Sequence, residues 1–420
     1  MTRTARALPF VLGMLFAGTT FAARIEHTKI VPPKFALEAP AELQAIGHPT
    51  RLLERGGTLY VASVDGIAAL SADGKLLWST PLDTTGVREI TIDDAGIAYT
   101  GYQIIGAKTS AWAFLGDVVK KLEFAPSVIG MLGPDGAKKW QANGPASRIS
   151  APCLTPNSIG VLTGEKFHIY SRADGALTVS TMDLEPAMLP NSLAGRMFRP
   201  QPFFINNEFV GGYFYNFYRI GPAGEEINKE NKVKTNIVAG PLLFQGKILV
   251  GSYSTAPDNS VNKSLITLVE PSGDFGKVWR EDIADDHSAT GDIVIDGDTI
   301  YASSNFTLTA LDSKGKKIWD EEGKEGALTN GSMRGVRFTN QFGYRYWGGH
   351  LLALAGDRLY LSARREVSKK NWCDVITVVN KKDGSYVETL DIQKELVDMA
   401  VWGGRLAIAT PDGVKFLALD

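Results

Sequence analysis

The stretch Thr299–Trp319, TIYASSNFTLTALDSKGKKIW, decides the fold that the sequence predicts. It reads as three short strands, TIYAS, LTALD and KKIW, and a tight turn at Ser313–Gly315 separates the second strand from the third. The stretch Thr58–Trp78, TLYVASVDGIAALSADGKLLW, has the same order of strands and turns. In both stretches a turn glycine is followed by Lys and, four residues past the glycine, by Trp. Two copies this similar indicate a repeat protein.

Further copies of the unit are marked by the glycine of its second turn. These glycines are Gly74, Gly136, Gly175, Gly224, Gly273, Gly315 and Gly384. An alternating apolar run precedes each of them, and before that run lies a strand that ends in small residues, such as KILVGS or RLYLSA. One more strand comes earlier, joined through a very short polar turn. Each unit therefore has four antiparallel strands, A to D, which is the composition of a β-propeller blade.

The units amount to eight blades, and seven of them contain all four strands. The last unit, from Val397 to Asp420, stops after strand C. We expect the N-terminal segment Ile25–Leu37 to supply its missing outer strand, because a ring closed by strands from both termini leaves no exposed sheet edge. The predicted fold class is all-β, an eight-bladed β-propeller of four-stranded antiparallel blades in one domain over residues 23–420.

The repeat has a recognisable motif, a small residue followed by Leu-Asp-x-x-Gly-Lys-x-x-Trp, which is clearest at Ala310–Trp319. This motif resembles the repeat of the PQQ-like, quinoprotein-type β-propellers, and the resemblance covers nearly the whole chain after residue 22. In that family the tryptophan packs between neighbouring blades. The resemblance implies a structural docking role for the matching residues Trp78, Trp140, Trp279 and Trp319. A binding wall of aromatic rings is the alternative, but a ligand would not need the same residue in four blades.

Charge and the N-terminal residues restrict the location of the protein and its partners. Lys and Arg number 44 against 46 Asp and Glu, a formal charge of −2, so no overall field favours nucleic acid or an anionic membrane. Arg3, Arg6, the apolar run Leu8–Ala17 and a small-residue site ending at Ala22 are typical of a cleaved signal peptide over residues 1–22. No later segment is apolar enough to span a membrane, and no Cys near the cleavage site could take a lipid. We expect a periplasmic or secreted monomer.

The sequence contains no motif for catalysis or for a metal. The five histidines lack metal-ligand spacing, and the acidic pairs Asp93–Asp94 and Asp296–Asp298 fall on A–B turns, where backbone geometry favours such residues. Among the PQQ-like propellers, the quinoprotein dehydrogenases hold a calcium-bound quinone and carry two adjacent cysteines. Here Cys153 and Cys373 fall in blades on opposite sides of the ring, so we expect two separate thiols. We expect no catalytic residue, no metal site and no cofactor.

Connection lengths differ between the two faces of the predicted propeller. The A–B and C–D turns are all short and share one face, the short-turn face. The B–C and D–A connections share the other, the long-loop face, and every long insertion falls there. These insertions are Gly101–Ser127, Asp183–Arg199, Tyr253–Lys263, Asp320–Gly349 and Ala363–Trp372. Because long connections are uncommon and often functional, this asymmetry predicts a binding surface on the long-loop face.

Two of the insertions carry residues suited to contacts with a partner. Thr109–Leu122 has apolar residues at helical spacing, which predicts a short amphipathic helix that either folds onto the propeller or contacts a partner. Met333–His350 combines arginines with aromatic residues, which are enriched at interface hot spots; the alternative is a loop packed into its own blade. The candidate partner-binding residues are Arg334, Arg337, Phe342, Tyr344, Arg345, Tyr346, Trp347, His350 and Trp112.

These observations favour an exported, non-catalytic propeller that binds a protein or another macromolecule on its long-loop face. It is similar to the BamB-type propellers, which serve as scaffolds in outer-membrane protein assembly, and this resemblance implies an envelope or outer-membrane protein as the partner. It differs from them in lacking the cysteine that carries a lipid anchor. Two alternatives stay open: a quinone-dependent or otherwise catalytic propeller whose site is assembled from several blades, and a propeller that binds carbohydrate.

Overall fold

Short strands joined by tight turns account for most of the chain. The computed structural model describes residues 30–83, 86–109, 120–163, 166–181, 201–213, 216–230, 236–255, 261–284, 290–304, 308–319, 351–368 and 371–419. Strands β1 (Ile30–Val31) and β2 (Phe35–Leu37) come first, followed by a 3₁₀ helix at Ala41–Ile46. Within the described ranges, no helix is long and apolar enough to cross a membrane.

Eight blades follow, and in each of them four strands are hydrogen-bonded antiparallel in the order A-B-C-D, with β2 as strand D of blade eight. Blade one contains β3 (Pro49–Arg55), β4 (Thr58–Ser63), β5 (Gly66–Leu70) and β6 (Leu76–Pro81). Blade two contains β7 (Val87–Asp93), β8 (Gly96–Gly101), the inserted strands β9 (Ile104–Thr109) and β10 (Lys120–Phe124), then β11 (Val128–Leu132) and β12 (Lys138–Asn143). Blade three contains β13 (Cys153–Leu154), β14 (Ser158–Leu162), β15 (Phe167–Ser171) and β16 (Leu177–Ser180). Blade four contains β17 (Phe203–Ile205), β18 (Glu208–Tyr213), β19 (Asn216–Ile220) and β20 (Glu226–Glu230).

The second half of the chain repeats this order. Blade five contains β21 (Asn236–Phe244), β22 (Lys247–Thr255), β23 (Val261–Val269) and β24 (Lys277–Ala284). Blade six contains β25 (Ile293–Asp296), β26 (Thr299–Ser303), β27 (Leu308–Leu311) and β28 (Lys317–Trp319). Blade seven contains β29 (Leu352–Ala355), β30 (Arg358–Ser368), β31 (Asn371–Asn380) and β32 (Tyr386–Asp391). Blade eight contains β33 (Asp398–Trp402), β34 (Arg405–Thr410) and β35 (Gly413–Ala418), and β2 is its outer strand.

The apolar side chains hold the blades to one another. The buried apolar residues of the described ranges form eight clusters, and each cluster lies between two neighbouring blades. The cluster between blades eight and one, for example, contains Trp402, Phe416, Leu52 and Leu59. Strands B and C are covered on both faces by the neighbouring blades. Strand β5 is therefore buried at every residue, and its sequence is a continuous apolar run. The structure is therefore a closed eight-bladed β-propeller, as predicted.

Closure of the ring involves both termini, with one difference from the prediction. Phe35–Leu37 pairs antiparallel with β35, which confirms that the N-terminal segment completes blade eight. Ile30–Val31, however, pairs in parallel with β32 at the outer edge of blade seven. Residues 32–34 connect the outer edge of blade seven to the outer edge of blade eight. The N-terminal segment therefore covers the outer edges of two blades instead of one.

The C–D turn explains the Leu-Asp-x-x-Gly motif of blade six, where the repeat is clearest. In blade six, Asp312 Oδ1 accepts hydrogen bonds from the N–H groups of Lys314 (2.9 Å) and Lys316 (2.8 Å). The Gly315 N–H donates to the Asp312 carbonyl (2.9 Å), and Gly315 has a φ of 78°, which a residue with a side chain rarely adopts. The aspartate and the glycine together fix this turn, and the turn places the next residues on strand D.

Candidate functional site

The two faces of the ring have different connections. The A–B turns are two or three residues long, such as Gly56–Gly57 between β3 and β4, and the C–D turns are five to seven residues long. On the long-loop face, three B–C connections instead continue as double-stranded hairpins. The pairing of β22 with β23 extends to Thr255↔Val261, and that of β30 with β31 extends to Ser368↔Asn371. In blade two, β9 and β10 pair with each other from Thr109↔Lys120 to Ile104↔Phe124.

These hairpins correct part of the sequence interpretation. The insertions Tyr253–Lys263 and Ala363–Trp372 are mostly extended strand. The helix predicted over Thr109–Leu122 is wrong at both ends, because Thr109 and Lys120–Leu122 lie in strands. A short apolar run does not distinguish helix from strand by spacing, and here the cross-strand partner decides. Residues 110–119, which include Trp112, lie outside the described residues.

On the short-turn face, charged side chains are paired between neighbouring blades. Arg55 of blade one binds Asp94 of blade two at 2.8 Å, and Arg172 of blade three binds Asp93 of blade two. In the same way Lys381 Nζ of blade seven lies 2.7 Å from Asp296 Oδ2 of blade six. The acidic pairs that the sequence assigned to turns therefore also link adjacent blades. Much of the charge on this face is satisfied within the protein.

On the long-loop side, charged groups surround the start of the innermost strands. Arg51 lies 3.4 Å from Asp398 of blade eight and 3.6 Å from Glu89 of blade two, and Asp398 also accepts the Leu52 N–H at 2.8 Å. Burial alone would lower the pKa of Arg51, but the negative charges of Asp398, Glu89 and Asp292 outweigh burial and raise the pKa. The guanidinium is thus permanently charged and joins blades eight, one and two at the point where the ring closes. The sequence did not reveal this contact, since the partners are far apart in the chain.

Buried hydroxyl groups fix the same ends of the strands. Ser303 Oγ accepts the Asp292 N–H (3.0 Å), and Ser362 Oγ accepts the Leu351 N–H (2.8 Å). Thr100 Oγ1 donates to the Ser150 carbonyl (2.8 Å), which joins blade two to blade three. The small residues at the ends of the B strands are the signal that pointed to these positions. At the start of the A strands these hydroxyls form hydrogen bonds with backbone groups that have no backbone partner there. They therefore make the base of the long-loop face rigid.

One surface cluster on the long-loop face combines two arginines with a tyrosine. The guanidinium carbons of Arg88 and Arg148 lie 5.6 Å and 6.0 Å from the ring centroid of Tyr102. The Tyr102 ring packs edge-on against the Phe124 ring, and the two ring centroids are 5.7 Å apart. The backbone N–H of Tyr102 donates to the Gly86 carbonyl (3.0 Å). Arg88 and Tyr102 belong to blade two, whereas Arg148 lies in the connection to blade three. We call this the arginine–tyrosine cluster, and the sequence analysis did not identify it.

A cavity of about 500 Å³ lies beside the cluster, between blades one and two. It is lined by Asp65, Leu82, Asp83, Gln103, Ala125, Pro126 and Val128. Its floor is apolar, because Leu82 and Val128 are buried core residues. Asp65 and Asp83 are exposed at its rim, and Lys138 Nζ lies 3.6 Å from Asp83 Oδ2. Gln103 and Ala125 follow Tyr102 and Phe124 in the chain, so the cavity and the cluster share the base of the β9–β10 hairpin.

The residues predicted to bind a partner lie outside the described residues. These are Arg334, Arg337, Phe342, Tyr344, Arg345, Tyr346, Trp347 and His350, together with Trp112. Residues 320–350 join strand D of blade six to strand A of blade seven, so both ends of this connection are on the long-loop face. Their role stays a prediction.

The tryptophans assigned to docking lie in described strands, each against the turn glycine of the following blade. A Cβ on Gly136 would come 2.5 Å from the Trp78 ring, and one on Gly315 would come 2.6 Å from the Trp279 ring. The indole N–H groups donate to backbone carbonyls of that same turn: Trp140 to Arg172 (2.8 Å), Trp279 to Ser313 (3.1 Å) and Trp319 to Lys381 (2.9 Å). In blade eight Leu37 takes the equivalent place, 3.0 Å from a Cβ on Gly74.

Two chemically reactive side chains of blade three are buried. Cys153 is a free thiol, as predicted, and burial raises its pKa to about 12; the side chain of Cys373 lies outside the described residues. Burial, and to a smaller extent Lys166, lowers the pKa of His168 to about 4. Within the described residues, no group of three or more His, Cys, Asp and Glu side chains could hold a metal ion.

Comparisons with known proteins identify the fold. No family model and no curated protein sequence matches the chain. Among solved structures, it is similar to BamB from Moraxella catarrhalis, with a TM-score of 0.54 and 13% identity over 87% of this chain and 95% of that one. It is also similar to Sqt1 from Saccharomyces cerevisiae (TM-score 0.55, 9% identity, 89% and 96% covered) and to the Dos1 propeller (TM-score 0.56, 8% identity, 93% and 95% covered). These likenesses support the β-propeller fold.

Proposed function

We propose that this protein is an exported, non-catalytic β-propeller scaffold that binds a protein partner on its long-loop face. The observation that carries the proposal is the contrast between the two faces. The short-turn face has minimal turns and charges paired between blades, whereas the long-loop face carries three extended hairpins, an open cavity and the arginine–tyrosine cluster. Long insertions on a rigid ring are where propellers and similar scaffolds place binding groups.

We further propose that the repeat is of the PQQ-like type and that the partner is an envelope or outer-membrane protein. The turn motif at Ala310–Trp319 and the resemblance to the BamB-type propellers support this assignment. The signal-like residues 1–22 support export to the periplasm or out of the cell. Protein partners suit the long-loop face because its hairpins present strand edges and its predicted insertion at Met333–His350 is rich in arginine and aromatic residues.

The test is site-specific photo-crosslinking of the full chain in the cells that produce it. A photoreactive residue replaces Gln103, which is exposed on the long-loop face, and in a matched control it replaces Lys314, which is exposed on the short-turn face. We expect one defined protein adduct from position 103 and none from position 314. Equal adducts from both faces, or none from position 103, would contradict the proposal.

The predicted loop is tested in the same system. Arg345→Ala and Trp347→Ala should reduce the yield of the adduct and leave the unfolding temperature unchanged, because hot-spot side chains at an interface are not needed for the fold. If either variant unfolds early, its side chain packs into the propeller. If both are stable and crosslink as before, the loop does not contact the partner.

A further inference from the structure

From the arginine–tyrosine cluster we infer a binding site for a carboxylate on an extended segment of the partner protein, with the cavity beside it receiving an apolar side chain of the same segment. This inference rests on the proposed function, since it assigns the chemistry of the partner on the long-loop face. The inference goes beyond the proposed function because it names the residues of the site and the kind of ligand.

Arg88 owes its position to an irregularity in strand A of blade two. The register between β7 and β8 shifts between Val87 and Glu89, so Arg88 is the extra residue of a β-bulge. A bulge turns a side chain away from the regular alternation of a strand and is frequent next to binding sites. Glu89 contacts Arg51 on the ring-closing side, whereas Arg88 lies against Tyr102. The bulge therefore separates these two adjacent charges and directs one of them to the cluster.

Arg88 lies against the Tyr102 ring, but part of its hydrogen-bonding capacity is unused among the described residues. Its Nε–H is buried and has no hydrogen-bond partner among the described residues. A buried donor without a partner is uncommon in native proteins, because the donor has lost water and gained nothing in return. The Tyr102 ring stabilises the guanidinium by a cation–π contact, which offers no acceptor oxygen. A ligand oxygen that accepts from the terminal nitrogen atoms of this guanidinium, which are not among the buried atoms without a partner, would give the side chain hydrogen bonds that it lacks.

The tyrosine is itself fixed, so the arginines meet a rigid platform. The Tyr102 N–H donates to the Gly86 carbonyl (3.0 Å), and a Cβ on Gly86 would lie 2.5 Å from the Tyr102 carbonyl oxygen. Phe124 closes the other side of the ring, and the Ala125 N–H to Gln103 carbonyl bond (3.0 Å) closes the hairpin beneath it. Two cationic groups on one immobile ring are arranged before the ligand arrives, which lowers the entropy lost on binding.

A carboxylate fits this arrangement better than a polyanion does. The planar guanidinium binds a carboxylate through two parallel charge-assisted hydrogen bonds. Asp65 and Asp83 stand at the rim of the adjoining cavity, and their negative charges would repel a nucleic acid or a polyphosphate more strongly than a single carboxylate. A peptide with one acidic residue beside apolar residues meets less of this repulsion. Its apolar side chain can then contact Leu82 and Val128 in the cavity.

The first experiment measures binding of a minimal probe to the whole protein. The probe is N-acetylglutamate methylamide, the neutral control is N-acetylglutamine methylamide, and inorganic phosphate is the competing anion. The readout is the side-chain Nε–H NMR signal of Arg88, assigned by its loss in Arg88→Gln. Arg405 is a matched internal control, because its guanidinium lies 5.7 Å from the Trp402 ring but donates to the Ala72 carbonyl at 2.9 Å. We expect a saturable shift of the Arg88 signal with the glutamate probe and none of the Arg405 signal.

The second experiment asks whether the site contributes to the partner complex captured from position 103. We expect Arg88→Gln to reduce the adduct about tenfold, the effect of one charge-assisted hydrogen bond, and Arg405→Gln to leave it unchanged. The inference is overturned if the glutamine control or phosphate shifts the Arg88 signal as strongly as glutamate, if nothing shifts it, or if Arg88→Gln leaves the adduct undiminished. The two proposals fail separately. An intact adduct without probe binding contradicts only the inference, whereas probe binding without any adduct contradicts only the proposed function.

Discussion

Replacing Trp319 tests how the blades are held together. Its side chain is 6% exposed and packs between blades six and seven in a cluster with Leu352 and Leu359, and its indole N–H donates to the Lys381 carbonyl (2.9 Å). Truncating a buried Trp to Ala costs about 3–5 kcal/mol, and the lost hydrogen bond contributes about 1 kcal/mol of that. We expect Trp319→Ala to lower the free energy of unfolding by about 4 kcal/mol. Trp319→Phe should lose less, because it keeps most of the apolar area and removes the N–H group.

The assay is equilibrium unfolding in guanidinium chloride, with Ile318→Ala as the matched control. Ile318 is the preceding residue on the same strand and is 52% exposed, so its truncation should cost less than about 1 kcal/mol. Gly384 supplies an independent check, since a Cβ there would lie 2.9 Å from the Trp319 ring. Gly384→Ala should be less harmful in the Trp319→Ala background than alone, because the clash is gone and only the strain of its φ of 71° is left. A loss below about 1 kcal/mol for Trp319→Ala, or strictly additive effects with Gly384→Ala, would refute the docking role.

Three further predictions concern ring closure, the charged contact near the axis and pH. Deleting Phe35–Leu37 should expose the edge of β35, which should lower the unfolding temperature and cause aggregation that size-exclusion chromatography detects. A deletion variant that is monomeric and has an unchanged unfolding temperature would contradict this prediction. Asp398→Asn should lower the free energy of unfolding by about 2 kcal/mol, because it removes the carboxylate charge 3.4 Å from Arg51, whose side chain is 26% exposed. An effect below about 0.5 kcal/mol in denaturant unfolding would contradict this prediction. The pKa of His168 is about 4 in the folded protein and 6.5 in the unfolded chain. Between these two pH values the unfolded chain binds more protons than the folded protein, so the free energy of unfolding falls as the pH is lowered from 6.5 to 4. We expect a loss of about 1–2 kcal/mol that is absent from His168→Gln, and equal pH dependence of both proteins would show that the ring is accessible to water.

Features that recur from blade to blade could be predicted from the sequence. The turn glycine marks seven blades, and a Trp lies four residues after it in three of them, at Trp78, Trp140 and Trp319, because neighbouring blades pack against each other in the same way. Gly315 shows the reason, since it combines a positive φ with the close approach of the Trp279 ring from the preceding blade. These glycines marked seven blades, and the incomplete unit from Val397 to Asp420 indicated the eighth blade and the need for a strand from the N-terminus.

Features that occur only once could not be predicted. Leu37 replaces the tryptophan of blade eight, but it lies at the opposite end of the chain and outside any repeat. The contact between Arg51 and Asp398 joins residues from the first and last blades, and spacing along the chain carries no signal for it. Arg88 is directed by a bulge of one residue, which alternation in the sequence does not reveal. The helix prediction was wrong at Thr109 and at Lys120–Leu122 for a related reason, since pairing between β9 and β10 outweighed the helical spacing there.

The central claim is that the partner occupies the long-loop face, and amide hydrogen exchange of the captured complex tests it most directly. We predict that exchange slows in the β9–β10 hairpin and in the paired ends of β22–β23 and β30–β31. Exchange at the A–B turns, such as Gly56–Gly57 and Gly403–Gly404, should be the same with and without the partner. Protection at those turns, together with unchanged exchange in the three hairpins, would contradict the claim.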